Sequence, residues 1–250
     1  MTAKVAFSKI ISFSFFLFAT AVPNLPASVQ AADLDLTTES SARVSFIPRG
    51  DSPAPQTTQS GASRRPLPGS CGGLPVLPEG GLGLTTSSSP SLFVYFSENT
   101  MVDKARLILK SLDEEESEYY ESVVTLPKEA LSKGGGIVAF KLPQSNAGLA
   151  LNQEYAWSLV LMCQGSLRPD SPTLKGYLKR VSDAGTQTES ASLVETAIAY
   201  GNAGIWHDLV STLATMRLEN PGDATFEQYW LNVMASAGLE AIANEPLIAQ

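Results

Sequence analysis

The stretch Leu149-Ala-Leu-Asn-Gln-Glu-Tyr-Ala-Trp-Ser-Leu-Val-Leu-Met-Cys163 has the pattern of a short corner followed by one long β-strand. Side chains of a strand alternate between its two faces, and one face here would carry Tyr155, Trp157, Leu159, Leu161 and Cys163. The other face, which begins at Ala156, is mostly apolar as well. A strand that is apolar on both faces is typical of the interior of a sheet, so we predict that this strand is central.

Short apolar runs separated by turn residues predict six further strands around it. They lie near Gly83–Thr86, Leu92–Phe96, Ala105–Ser111, Tyr119–Leu126, Ile137–Leu142 and Leu174–Val181. Together these strands predict an all-β domain over residues 70–181. The acidic run Asp113–Glu118 lies between two of them and is interpreted as a solvated hairpin tip, with a calcium site as the alternative.

The pattern becomes helical after Val181. Apolar residues recur at helical spacing in Ser190–Ala203, Ile205–Glu219 and Ala224–Ala237. Gly204 would end the first helix, and Pro221 follows the second. We therefore predict a helical domain over residues 182–250 that packs on the strands.

Two local resemblances refine the expected fold. The spacing of Leu149 and Tyr155 resembles that of the corner before the sixth strand of fibronectin type III domains. In that corner a tyrosine hydroxyl caps the backbone. Tyr200, Gly204 and Pro221 resemble one tetratricopeptide repeat. The predicted fold is α+β, with a fibronectin-like or immunoglobulin-like β-sandwich followed by a tetratricopeptide-like helical hairpin.

The beginning of the chain has the features of an export signal. Residues 1–31 combine two lysines, the apolar run Ile10–Val22 and small residues before a cleavage point, which predicts a signal peptide, with an uncleaved anchor as the alternative. Residues 32–69 are rich in Ser, Thr, Pro and Gly and are predicted to be a disordered linker. Arg43–Ile47 could form one isolated strand within it.

The charge balance excludes some partners. The chain has a net charge of −8, which becomes −10 without the signal because Lys4 and Lys9 are its only charged residues. Basic residues are adjacent only in pairs such as Arg64-Arg65 and Lys179-Arg180, so no basic patch is evident. Nucleic acids and anionic membranes are recognised through basic patches, so we expect neither as a partner.

The two cysteines, Cys71 and Cys163, predict a disulfide, because an even count in an exported chain favours pairing. Two buried thiols are the alternative. One histidine, His207, and two cysteines are too few for a structural zinc site. Asp208 follows His207 directly and cannot hold its imidazole as a catalytic triad requires, so we expect neither a metal nor a catalytic site here.

A broader resemblance is carried by four stretches, which are Gly69–Cys71, Leu92–Phe96, Tyr155–Cys163 and the run from Tyr200 to Asp208. Together they resemble a cyanobacterial family of unknown function, number nine hundred and twenty-eight in the series of such domains. The resemblance implies an exported cyanobacterial protein. It implies no activity.

Three hypotheses about function follow. The leading one is a non-enzymatic interaction module of the cell envelope, periplasmic or secreted and without a cofactor, which binds a protein partner around Tyr200, Trp206 and Tyr229. The alternative is a glycan- or small-ligand-binding sandwich that uses sheet-face aromatics such as Phe93 and Tyr95. The weaker alternative is a hydrolase whose acids cannot be identified from the sequence. Of the three tryptophans, Trp230 is expected to be the most exposed.

Overall fold

The strands of this protein form two separate sheets. A computed structural model describes residues 43–49, 65–112, 119–142, 148–183 and 191–248, which all belong to one compact unit, Ser40–Gln250. The predicted signal peptide, most of the predicted linker and the acidic run Asp113–Glu118 lie outside the described residues.

Alternating apolar residues form strands where the sequence predicts them, and two short strands are added. The strands are β1 Leu74–Pro75, β2 Leu82–Thr85, β3 Ser91–Phe96, β4 Val102–Ser111, β5 Tyr119–Thr125, β6 Gly136–Lys141, β7 Glu154–Cys163, β8 Thr173–Arg180 and β9 Leu247–Ile248. The four-stranded sheet has the order β1-β3-β6-β9, and the five-stranded sheet has the order β2-β8-β7-β4-β5. Pairing is antiparallel except for β2 with β8 and β6 with β9, which are parallel.

The predicted central strand is confirmed as β7, which lies between β8 and β4. Tyr155, Trp157, Leu159 and Leu161 are buried on one face, whereas the residues between them are half-buried. Trp157 faces Gly176 across the β7–β8 pair. A Cβ atom at Gly176 would lie 2.6 Å from the Trp157 ring, so the absence of a side chain there makes room for the indole.

The corner before β7 has the hydrogen bond that the fibronectin resemblance implied. The Ala150 N–H group donates to the Tyr155 hydroxyl at 2.9 Å. Asn152 turns the chain with φ of 61°, a conformation that Asn adopts more readily than most residues. At the other end of β7, Cys163 forms a disulfide with Cys71, with a Cα–Cα distance of 6.0 Å, as the sequence predicts.

Three of the four α-helices among the described residues also lie where their spacing predicts them, whereas the short helix Lys128–Leu131 was not predicted. They are α1 Lys128–Leu131, α2 Leu193–Asn202, α3 Trp206–Glu219 and α4 Ala224–Ser236, followed by a 3₁₀ helix at Glu240–Ile242. Ser192 and Glu195 form a reciprocal capping box at the start of α2. Asp223 caps α4 by accepting from the N–H groups of Thr225 and Phe226.

Helices and sheets share one hydrophobic cluster, as the expectation of helices packed on strands requires. The Trp206 indole N–H donates to the Val76 carbonyl at 2.9 Å and so joins α3 to the segment after β1. In β9, Leu247 pairs with Ile137 at the edge of the four-stranded sheet. Residues beyond Val181 therefore complete a sheet that begins in the strand-rich part of the chain.

Candidate interaction surfaces

Residues 43–49, which we call the strap, pack against the helices. Val44 and Phe46 are buried while Arg43 and Ile47 are exposed, and this alternation is typical of an extended segment. The sequence places the strap in a disordered linker, and that prediction does not hold for these residues. It also does not hold at Leu67 and Gly69, where backbone groups bond to Ser97 and Glu98. The strap is ordered because Val44 and Phe46 find apolar partners far away in the sequence.

The strap occupies a groove formed by the end of α2, the start of α3 and the end of α4, which we call the helical groove. Its Ile47 N–H donates to the Gly201 carbonyl at 3.1 Å, and its Phe46 N–H donates to the Ser236 hydroxyl at 3.2 Å. Arg49 Nε donates to the Ala203 carbonyl at 2.7 Å. The strap is thus held by its backbone as well as by its side chains.

Gly201 allows this close approach. A Cβ atom at this position would lie 2.1 Å from the Ser45 carbonyl oxygen, far inside van der Waals contact. Glycine in a helix costs about 1 kcal/mol relative to alanine, so its presence at a buried position of α2 requires a reason. The passage of the strap supplies that reason.

The aromatic residues predicted to face a partner are mostly internal. Tyr200 and Trp206 are 4% and 1% exposed, and the Phe46 ring lies edge-on to Trp206 with a centroid distance of 4.8 Å. Tyr229 is half-buried and packs beside Phe226 on α4. Tyr200 and Trp206 therefore present no open aromatic face, because the protein's own core and strap cover them.

The aromatic residues proposed for glycan binding are internal as well. Phe93 and Tyr95 are 6% and 1% exposed, so both faces of β3 are covered. The Arg65 guanidinium lies 5.3 Å above the Tyr95 ring, and burial raises the pKa of that tyrosine. Trp230, expected to be the most exposed of the three tryptophans, is fully buried, and its indole N–H donates to the Ala243 carbonyl at 3.0 Å. None of these rings can serve as a surface platform.

His207 is a buried neutral histidine at the joint between α3 and β2. Its Nε2 has no hydrogen-bond partner within the described residues, and a Cβ atom at Gly83 would lie 2.4 Å from it. Burial lowers the pKa of His207 to about 4, although the Asp208 charge and a hydrogen bond with the Ser91 backbone oppose this. The Asp208 carboxylate instead accepts from the Thr86 N–H and hydroxyl at 3.1 and 2.7 Å. These contacts are those of a packed corner.

The described ranges hold neither a metal-binding cluster nor a membrane-spanning helix. No three His, Cys, Asp or Glu residues come together there as a metal site requires. No helix in that part of the chain is long and apolar enough to cross a bilayer.

The outward side of the five-stranded sheet brings five cations together, and we call it the basic face. They are Lys104, Arg106 and Lys110 on β4, and Lys175 and Lys179 on β8. The intervening strand β7 contributes Ala156, which pairs with Lys110, and Ser158, which pairs with Lys175. These residues alternate with the buried ones, so they point away from the core.

Two carboxylates on the basic face offset part of this charge. Glu121 forms an ion pair with Arg106, and Glu154 forms one with Lys179 at 3.0 Å. Lys104 and Lys175 are exposed and make no ion pair within the described residues. Sequence reasoning found no basic patch, because residues that are far apart in the chain become neighbours only through the strand register.

Comparison with known proteins identifies the family. The family model for the Domain of Unknown Function (DUF928) matches residues 59–247. No curated protein matches the chain. The matched range includes both cysteines and the described helices, whereas the strap lies before it. The chain therefore belongs to the DUF928 family.

Proposed function

We propose that this protein is a non-enzymatic, exported interaction module of the cell envelope that binds an extended segment of a partner protein in its helical groove. In this proposal the two sheets act as a fibronectin-like or immunoglobulin-like sandwich that supports a tetratricopeptide-like helical hairpin. The observation that carries it is the strap, because an extended segment already lies in that groove.

The contacts of the strap are those of peptide recognition. Extended peptides are commonly held through main-chain hydrogen bonds, while alternate side chains enter pockets and provide specificity. Here the N–H groups of Phe46 and Ile47 supply the main-chain bonds. Val44 and Phe46 supply the buried side chains. The expected partner segment therefore has an aliphatic residue two positions before an aromatic one.

The family match separates the groove from its occupant. Gly201, Trp206 and Ser236 lie within residues 59–247, whereas the strap lies outside them. The family model therefore covers the groove and does not reach the strap. A partner segment must displace the strap, which lowers the apparent affinity by the fraction of molecules whose groove is open. The strap would then regulate access to the groove.

Export is supported by independent features. The disulfide between Cys71 and Cys163 suits an oxidising compartment. The lysines and apolar run of residues 1–31 suit a secretory signal. A periplasmic or secreted location follows as part of the proposal.

The test uses a labelled peptide with the strap sequence Arg43-Val-Ser-Phe-Ile-Pro-Arg49 and the full mature chain. In the variant Phe46→Ala the internal strap is weakened, so we expect this variant to bind the peptide more tightly than the wild type does. Ile47→Ala is the matched control, because Ile47 is 53% exposed and its removal should leave peptide binding unchanged. The binding is measured by fluorescence anisotropy, with circular dichroism to verify folding.

A second strap variant, Val44→Ala, tests the same contact in case Phe46→Ala does not fold. If both variants fold and neither binds the peptide better than the wild type, the groove is a closed part of the core and the proposal fails. A peptide in which alanine replaces the phenylalanine should bind more weakly in every case.

A further inference from the structure

The five-stranded sheet ends in one long open edge. Its last strand, β5, is seven residues long and pairs only with β4 among the described strands. The other three edge strands are shorter, since β1 and β9 have two residues each and β2 has four. The β2 edge is also covered, because α3 packs against it through His207 at Gly83. Among the described strands, β5 is therefore the edge with the longest open backbone.

The backbone of β5 can bond to another strand on its open side. The Leu126 N–H donates to the Asp103 carbonyl at 3.1 Å, so the Leu126 backbone points toward β4. Backbone groups of an antiparallel strand alternate in direction. Those of Val123 and Thr125 therefore point away from β4, where the described residues supply no strand for them. Both side chains are exposed, Val123 by 57%, which agrees with an open edge.

The sequence of β5 lacks the devices that keep an edge strand from pairing. Natural edge strands are protected by lysine, proline, a bulge or short length. The strand reads Tyr-Tyr-Glu-Ser-Val-Val-Thr, which is mostly aromatic and β-branched and holds no lysine, proline or glycine. Its one charged residue, Glu121, forms an ion pair with Arg106 of β4. An edge of this kind pairs readily with a further strand.

The strand β5 is complementary to a second copy of itself. A two-fold axis at Ser122, its middle residue, pairs all seven residues in antiparallel register. Tyr120 then lies opposite Val124 of the second copy on the core side, and aromatic and β-branched residues stabilise sheets when paired in this way. Glu121 lies opposite Val123 of the second copy, so no like charges meet. Two small serine side chains meet at the axis, where the strands approach most closely.

The acidic run Asp113–Glu118 favours the antiparallel orientation. The run directly precedes β5 in the sequence, so an antiparallel pair places the two runs at opposite ends. Seven residues of a strand are about 24 Å long, whereas charges at physiological salt act over about 8 Å. The two runs therefore do not repel each other across the pair. A parallel pair would bring them side by side.

We propose that two copies of this protein associate through their β5 strands, which pair in antiparallel register around Ser122 and join the two five-stranded sheets. One edge strand buries less area than the interface of a permanent dimer. We therefore expect a weak dimer, with a dissociation constant between about 10 μM and 1 mM. The interface lies at the opposite edge of the sheet from α3, so it does not depend on peptide binding in the helical groove.

The first test measures the mass of the full mature chain by sedimentation velocity at concentrations up to about 1 mM. Val123→Glu places a carboxylate opposite Glu121 of the second copy, although it faces Arg106 within its own chain. Two such like-charge pairs in the dimer should weaken association by about 10-fold. Val123→Lys should retain or strengthen association, because the lysine faces the same Glu121. The matched control, Leu218→Glu, adds a carboxylate at a 47% exposed position of α3 and should leave association unchanged.

A second test locates the axis by cross-linking. In Ser122→Cys the two new thiols lie at the axis, where the Cα atoms are about 4.5 Å apart, within the range of a disulfide. This variant should form a covalent dimer on mild oxidation, as seen by non-reducing electrophoresis. Thr125→Cys is the control, because its two copies are about 20 Å apart in this register. Circular dichroism verifies that each variant folds.

Several outcomes would overturn the proposal. One is a chain that stays monomeric at every concentration, and another is a dimer that Val123→Glu and Leu218→Glu weaken equally. A third is cross-linking of Thr125→Cys as fast as that of Ser122→Cys. Assemblies that grow beyond a dimer would show that the edge aggregates. An extended peptide that pairs with β5 of a monomer would show that the edge has a different occupant.

Discussion

The helical groove and the basic face differ in what covers them. The groove is apolar and is filled by Val44 and Phe46 of the chain itself. The basic face is polar, and its lysines at positions 104, 110 and 175 are exposed. An apolar groove left open would be an aggregation hazard, whereas a charged sheet face is stable in water. We therefore expect the strap to occupy the helical groove, whether or not the groove also binds a partner.

The largest expected effect concerns the strap. Phe46→Ala removes a buried ring that packs on Trp206, and such truncations cost about 4 kcal/mol of unfolding free energy. On the basic face, Lys104→Gln should change the same quantity by less than about 0.5 kcal/mol, because exposed positions contribute little. Urea unfolding of both variants measures the difference. A Phe46→Ala loss below about 1 kcal/mol would mean that the strap is only loosely attached.

The next effect concerns His207, at the joint between the helices and the five-stranded sheet. Unfolding returns its pKa from about 4 to the ordinary 6.5, so the unfolded chain binds more protons between these values. Stability is therefore lost as the pH falls from about 6.5 to about 4, by about 3 kcal/mol in total. His207→Gln should remove this part of the pH dependence, as measured by urea unfolding at several pH values. Identical pH profiles for the two proteins would show that the histidine is not buried as described.

The smallest of the three effects tests the contact between strap and groove. Gly201→Ala would normally stabilise a helix by about 1 kcal/mol, but here the added methyl group meets the Ser45 carbonyl. We expect the opposite sign, a loss of about 1–3 kcal/mol from overpacking. Asn202→Ala, at the exposed neighbouring position, is the control and should be neutral or stabilising. Stabilisation by Gly201→Ala would indicate that the strap does not pass there.

Most of the fold could be predicted from local patterns, because alternation and helical spacing lie within one element. The central position of β7 followed from its two apolar faces, and the end of α2 followed from Gly204. The two-residue strands β1 and β9 could not be found, since two residues carry no periodicity. Their pairing is determined by tertiary packing alone.

The candidate surfaces were also hard to predict, because they depend on contacts between residues that are distant in the sequence. The alternation of Val44, Ser45 and Phe46 is visible in the sequence, but the helices that bury it are far along the chain. Lysines at alternate positions of β4 and β8 are also visible. Only the register through β7 brings them to one face. The aromatic rings that were expected at a binding surface are buried, because large apolar rings lie in the core more often than on the surface.

The parallel pair of β6 and β9 affects the order in which the protein can fold. Ile137 obtains its neighbour Leu247 only when nearly all of the described chain is available for folding. A Cβ atom at Gly136 would collide with Ile248, so the glycine leaves the space that β9 occupies. Pairings between residues distant in sequence form slowly. We expect the four-stranded sheet to remain incomplete until β9 pairs with β6.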